Sequence, residues 1–249
     1  MLPVSRLIAT VITLLGAVVL PMVFAAPATA MSVQPTQVEM VSAGQRARAQ
    51  VSVTNDGAAP MPVELVIESL AIDEKGESRK SPGGDSFLIF PPQALIAPGA
   101  SQVFRLQWVG EPQMTKSESY IITVNQIPVA APKGRSTVQI VMAMGVLVNI
   151  APAAGAADLR IVDTVIVSDK GKRRPAITVE NPTNTHALLP DAKVRLASGP
   201  WSKTLERSEL GTGIGLVQPG KKRRFVLPVD VPANVQSIQA SIQYAAPRR

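Results

Sequence analysis

An all-β chain of two immunoglobulin-like β-sandwich domains is predicted by three features of the sequence. From residue 31 onward, short β-branched runs alternate with Pro, Gly, Asn and Asp punctuation. No stretch sustains a helical apolar period. About seven such runs fall in each of two stretches of roughly 100 residues, which is the spacing of a sandwich. Between them, Ala151-Pro152-Ala153-Ala154-Gly155-Ala156-Ala157 contains only small residues, Pro and Gly, and reads as a linker. The predicted domains are 31–152 and 153–249.

Residues 1–30 are read as a secretory signal peptide. Arg6 is their only charge, an apolar run extends from Leu7 to Phe24, and Ala28-Thr29-Ala30 forms an A-x-A cleavage site. A membrane anchor is the competing reading, because 18 residues lie near the lower limit for spanning. Pro21 and the small residues after it favour cleavage after Ala30, export, and a mature chain from Met31.

Composition narrows the function. The chain has no cysteine. This removes cysteine nucleophiles, zinc knuckles and haem attachment, and leaves an exported protein to fold on apolar packing alone. Without Arg6, 24 of the 25 basic residues remain against 18 acidic ones. A basic surface favours anionic membranes or acidic proteins, and export makes nucleic acid the least available partner.

In the first half, strands are expected at Val33–Met40, Arg46–Thr54, Pro62–Ile72, Phe87–Phe90, Gln102–Val109, Tyr120–Gln126 and Thr137–Ile150. Asn55-Asp56-Gly57 marks a turn, and a charged, Gly-rich loop runs through Asp85. In the second half they are expected at Leu159–Val167, Ala176–Glu180, Lys193–Ala197, Arg224–Val229 and Ser237–Tyr244.

The informative segment is 137–150. Val138, Ile140, Met142, Met144, Val146, Val148 and Ile150 alternate along it and share one face. Its 14 residues would span roughly 46 Å at about 3.3 Å each, more than twice a common strand. A central strand of the first sandwich would account for part of this run. The remainder is expected to face a partner, because an apolar edge invites pairing with another chain.

Several motifs resemble the PapD-like periplasmic pilus-assembly chaperones over nearly the whole mature chain. Ser117-Glu118-Ser119-Tyr120 with Val124-Asn125-Gln126-Ile127-Pro128 is similar to the family's most characteristic stretch. Pro91-Pro92, Ile96-Ala97-Pro98-Gly99 and Phe104-Arg105 match its turn into the preceding strand, and Val53-Thr54-Asn55 its second-strand ending. Glu180-Asn181-Pro182-Thr183 and Val217-Gln218-Pro219-Gly220 resemble turns of its second domain. The resemblance implies an L-shaped pair of sandwiches with a cleft between them. It also implies donor-strand complementation, in which the long strand lends apolar side chains to an incomplete subunit. The donor residues would be Val138, Ile140, Met142 and Met144, and methionine suits a surface that accepts several partners.

The chain departs from the family pattern in its cleft. Members anchor the subunit's terminal carboxylate with an Arg and a Lys, and those positions fall on Gln37 and Leu147 here. The acidic residue of the family's interdomain ion pair matches Glu118, but the matching basic position is Ala151.

The other candidates weigh less. His186, the only histidine, reads as a loop residue after an Asn-Pro turn rather than a ligand or base. Asp73, Glu74, Glu77 and Asp85 lack calcium-loop spacing, and Gly211-x-Gly213-x-Gly215 has no following helix. Lys172-Arg173-Arg174 and Lys221-Lys222-Arg223-Arg224 read first as solubilising turns and second as sites for an anionic surface. Trp108 and Trp201 read as core or strand-edge residues. No metal, cofactor or catalytic constellation stands out. The expected function is that of a non-enzymatic chaperone in the periplasm, serving pilus assembly and fimbrium biogenesis. It would hold pilus-like subunits, pass them to an outer-membrane usher, and have no stable membrane insertion after signal cleavage. The alternative is a binding module of the same fold for a non-pilus exported client.

Overall fold

The computed structural model describes residues 31–128, 140–210 and 213–245. Residues 1–30, read from the sequence as a signal peptide, Val138 and the first part of the long apolar run lie outside the described residues.

The first sandwich contains β1 (Met31–Gln34), β2 (Gln37–Val41), β3 (Arg48–Asn55), β4 (Met61–Ile72), β5 (Ser78–Pro82), β6 (Phe87–Phe90), β7 (Gln93–Ile96), β8 (Ser101–Trp108), β9 (Glu118–Gln126) and β10 (Ala143–Ala151). One sheet has the order β1-β3-β8-β6. The other runs β2-β10-β9-β4-β5, with β7 also paired to β4. Alternation decides which side chains enter the core. Val51 and Val53 on β3, and Phe104, Leu106 and Trp108 on β8, point inward, while Arg48, Gln50, Val103 and Arg105 stay exposed. Phe87, Trp108 and Tyr120 meet edge-on, with ring centroids 5.0–5.8 Å apart.

The second sandwich contains β11 (Arg160–Asp169), β12 (Lys172–Glu180), β13 (Ala187–Leu188), β14 (Ala192–Ser198), β15 (Trp201–Leu205), β16 (Leu216–Val217), β17 (Lys222–Val226) and β18 (Gln239–Tyr244). Its sheets are β11-β12-β17, β15-β14-β18 and the short pair β13-β16. The first core draws on residues between Met31 and Ile150, and the second on residues between Ala157 and Ile238.

Asn55 and Asn181 explain why similar motifs recur in the two halves. Each is buried at the end of a strand. Asn55 Nδ2 donates to the carbonyls of Ala59 (2.8 Å) and Ile96 (2.9 Å), and Asn181 Nδ2 to those of Thr185 (2.8 Å) and Val217 (2.9 Å). Each side-chain oxygen accepts the N–H two residues on, at 3.0 Å. Each main chain is also bonded to a Pro-Gly turn, through Gly99 and Ala100 in one half and Gly220 and Lys221 in the other.

Beside β7, β13, β15 and β16, which lie outside the expected strands, three elements differ from the sequence expectation. The single strand 33–40 is two strands in opposite sheets, β1 antiparallel to β3 and β2 parallel to β10. Pro35, which lacks an N–H, sits at the crossing, and the Gln34–Pro35 peptide is cis. The charged loop before Asp85 contains β5, whose five residues are all exposed and so show no apolar alternation. The long apolar strand enters the ladder at Ala143 rather than Thr137.

Candidate functional site

β10 has different neighbours along its length. Ala143–Ile150 pair with β9, but β2 joins on the other side only from Leu147. Among the described residues, Ala143–Val146 therefore have one unpaired edge. Leu147 N–H, on the β2 side, donates to the Thr36 carbonyl at 3.0 Å. Strand alternation turns the N–H and C=O of Ala143 and Gly145 the same way, toward the open edge. These are the groups an added strand would bond.

The proposed donor residues fall into distinct environments. Ile140 is 73% exposed, and the neighbouring Val141 is 46% exposed. Met142 and Met144 are half-buried against the first core. The apolar alternation thus serves two ends, with Val146, Val148 and Ile150 wholly inside the sandwich and Ile140 clear of it.

The two cleft positions, Gln37 and Leu147, are direct ladder partners. They line a cleft of about 370 Å³ with Thr36, Leu188, Pro190 and Arg207 from the two sandwiches. Leu147 is buried in an apolar plug with Leu70, Ile72 and Ile121 of the first sandwich and Leu188 and Leu216 of the second. A lysine at this position would be held among leucines, so the cleft floor is apolar by construction. The cation that does line the cleft is Arg207, whose guanidinium donates to the Asp191 carboxylate.

Among the described residues, Glu39 is a carboxylate that bonds to a side chain of the other sandwich. Glu118 lies at the start of β9 and accepts a hydrogen bond from Tyr120 OH within its own sandwich, at 2.5 Å. Glu39 Oε2 lies 2.6 Å from His186 Nε2 of the second sandwich, and Asn149 Nδ2 donates to Glu39 Oε1 at 2.9 Å. His186 is in a loop, as expected, but is only 1% exposed. Nothing in the neighbouring residue types marks it as an interface residue, and its being the only histidine was the one available hint.

Burial alone pushes the Glu39 carboxyl up. The hydrogen bond and charge of His186, with hydrogen bonds from Asn149 and Gln37, outweigh burial, and the group lies below its ordinary value of 4.5. A carboxylate with a depressed folded-state pKa adds stability that is fully present above the unfolded value and is lost as pH falls through the folded one. The contact is therefore expected to hold above the ordinary carboxylate range and to weaken in stronger acid. In His186→Gln the loss should move to higher pH, because burial then opposes fewer stabilising partners. A ¹³C titration of the Glu39 carboxyl checks both. A midpoint unchanged by the substitution would contradict the assignment.

A second contact holds the sandwiches at the β4–β5 hairpin. Gln218 accepts from Ile72 N–H at 2.9 Å and donates to the Leu70 carbonyl at 2.8 Å, and Arg224 N–H donates to the Glu74 carbonyl at 2.8 Å. Gly76, at φ +94°, lies over Arg223, where an added Cβ would be 3.2 Å from Nη2.

The basic clusters are partly structural. Lys172 pairs with Asp230 at 2.9 Å, Arg174 with Asp169 at 3.4 Å, and Arg173 donates to the carbonyls of Pro232 and Val235. Arg223 is buried, donates to the Leu216 carbonyl and lies over the Phe225 ring, while Lys221, Lys222 and Arg224 remain exposed. Trp108 is a core residue, and Trp201 packs at the border of the second core. Among the described residues, no helix is long and apolar enough to cross a membrane.

The model of the family described as pili and flagellar-assembly chaperone, PapD N-terminal domain, matches residues 30–155. No curated protein matches the sequence. Among solved structures, the class 5 fimbriae chaperone CfaA is 13% identical with a TM-score of 0.53, and the match covers 88% of this chain and all of that one. The YadV chaperone is 15% identical with a TM-score of 0.52, covering 88% and 93%. A chain from a chaperone–tip adhesin complex of CFA/I fimbriae biogenesis is 13% identical with a TM-score of 0.52, covering 88% and 100%. At these identities the structures establish the shared fold.

Proposed function

The chain belongs to the pili and flagellar-assembly chaperone family, and we propose that it captures pilus-like subunits by adding the open edge of β10 to them. The capture takes place in the periplasm, after removal of residues 1–30, and the loaded chaperone delivers its subunit to an outer-membrane usher. It acts by binding, without catalysis or a cofactor.

The observation that carries this reading is the unpaired edge at Ala143–Val146, continued by exposed Ile140 and Val141. An extended segment laid there gains main-chain hydrogen bonds from the edge and specificity from alternating side chains. The chaperone–tip adhesin complex among the similar structures supports a subunit as the occupant. Affinity purification from the periplasm, followed by mass spectrometry, tests the reading. A pilus-type subunit should co-purify, whereas recovery of only non-pilus exported proteins would favour the alternative of a binding module for another client.

The apolar floor at Leu147 and the neutral Gln37 support a cleft that does not anchor a terminal carboxylate. Amidating the C-terminus of the captured subunit is therefore expected to change Kd by much less than the tenfold that corresponds to about 1.4 kcal/mol. A titration by calorimetry reads this directly. A larger loss would assign the carboxylate to Arg207, across the same cleft.

A further inference from the structure

A row of polar side chains crosses the sheet that carries the open edge. Glu39 faces Asn149 in the β2–β10 register, and Asn149 faces Ser119 in the β10–β9 register. Asn149 donates to Glu39 at 2.9 Å, and Ser119 Oγ donates to Asn149 Oδ1 at 2.7 Å. His186 closes the row from the second sandwich. Its Nε2 is 2.6 Å from Glu39, and its main-chain N–H donates to Ser117 Oγ at 3.1 Å, just before β9. One buried side chain thus joins the second sandwich to β2 and, through Asn149, to β10.

Other connections also cross between the sandwiches: Ser117 N–H donates to the Asn184 carbonyl and Asn184 Nδ2 to the Thr115 carbonyl, each at 2.9 Å. The plug around Leu147 is apolar, and apolar contact is non-directional. The hairpin contact combines the Gln218 side chain, bonded to Ile72 N–H and to the Leu70 carbonyl, with the main-chain bond from Arg224 N–H to Glu74, on a hairpin whose β5 arm is exposed. A short bond between imidazole and carboxylate is directional, and stronger when charge-assisted. Glu39 lies two residues along the β2–β10 ladder from the Gln37–Leu147 pair, where β2 begins and the open edge ends.

We infer that His186 is a positioning residue, whose bond to Glu39 fixes the angle between the second sandwich and the open edge of β10. A strand added along that edge then meets the cleft wall at one defined place. That consequence rests on the strand-addition reading; the fixed angle is a property of the free chain.

The test uses the full chain without any client. The protein has no cysteine, so Glu64→Cys and Ser202→Cys place one spin label on an exposed site of each sandwich. Double electron–electron resonance should give a single narrow distance in the parent. In His186→Ala that single distance should be lost to a broad distribution while both sandwiches stay folded by circular dichroism. His186→Gln, whose amide can donate to the same carboxylate, should recover it. Glu39→Ala breaks the bond from the other sandwich and decides the matter if His186→Ala unfolds. A narrow, unshifted distance in folded Glu39→Ala overturns the inference, as does one in folded His186→Ala. Failure of strand addition would appear in client capture and leave these distances unchanged.

Discussion

Ile140→Asp is expected to abolish capture of the subunit while leaving the protein folded. Ile140 is 73% exposed, so the free chaperone loses almost no packing. On the proposed mode of capture, the same side chain enters an apolar groove of the partner. An unpaired carboxylate buried there costs several kcal/mol, and about 4 kcal/mol corresponds to roughly a thousandfold loss of affinity. Ala143→Asp makes a useful comparison, because an odd position points to the opposite face and is exposed. It should weaken capture far less. Met144→Asp would be a poor test, since Met144 packs on the chaperone's own core. The measurements are a pull-down of the subunit and a melting curve for each variant. Normal capture by folded Ile140→Asp would remove this segment from the interface. Unfolding of that variant would return Ile140 to the core.

The largest expected effect on stability is that of Asn181→Ala. The side chain is fully buried and donates to two carbonyls, Thr185 and Val217, while accepting from Thr183. Alanine leaves both carbonyls without that donor, at about 1–3 kcal/mol for each buried group, so the cost is roughly 2–6 kcal/mol. For a domain of this size that lowers Tm by about 10 °C or more. The loss should fall on the second sandwich, with a smaller effect on the first. Asn55→Ala should give the mirror result, because Asn55 makes the equivalent bonds in the first half. Differential scanning calorimetry resolves the two if the sandwiches melt separately. An Asn181→Ala transition within about 1 kcal/mol of the parent, the size of a single net hydrogen bond, would contradict this account of the corner.

Legibility followed burial. Strands with one wet and one dry face, such as β3 and β8, announced themselves by alternation. β5 gave no such signal because all its residues are exposed, and β13 and β16 are only two residues long. The break at Pro35 was hidden because apolar residues continue on both sides of it, while the chain changes sheets. The apolar run before the linker was readable as too long for one role, and Ile140 and Ile150 do sit in opposite environments. The alternation did not show where the core ends, so Met142 and Met144 were grouped with Ile140. At the cleft, Leu147 and Gln37 were located through motif order, and their adjacency follows from the parallel β2–β10 pairing. His186 and Glu39 are 147 residues apart and meet only when both sandwiches are folded. No local pattern encodes such a contact.

Strand addition is tested most directly by amide hydrogen exchange at Ala143 and Gly145, read residue by residue in the free chaperone and in its complex with the co-purified subunit. These two N–H groups point to the open edge, whereas those of Met144 and Val146 face β9. The account predicts fast exchange at Ala143 and Gly145 in the free protein and strong protection in the complex, with Met144 and Val146 protected in both. A stable complex in which Ala143 and Gly145 still exchange as in the free protein would contradict it.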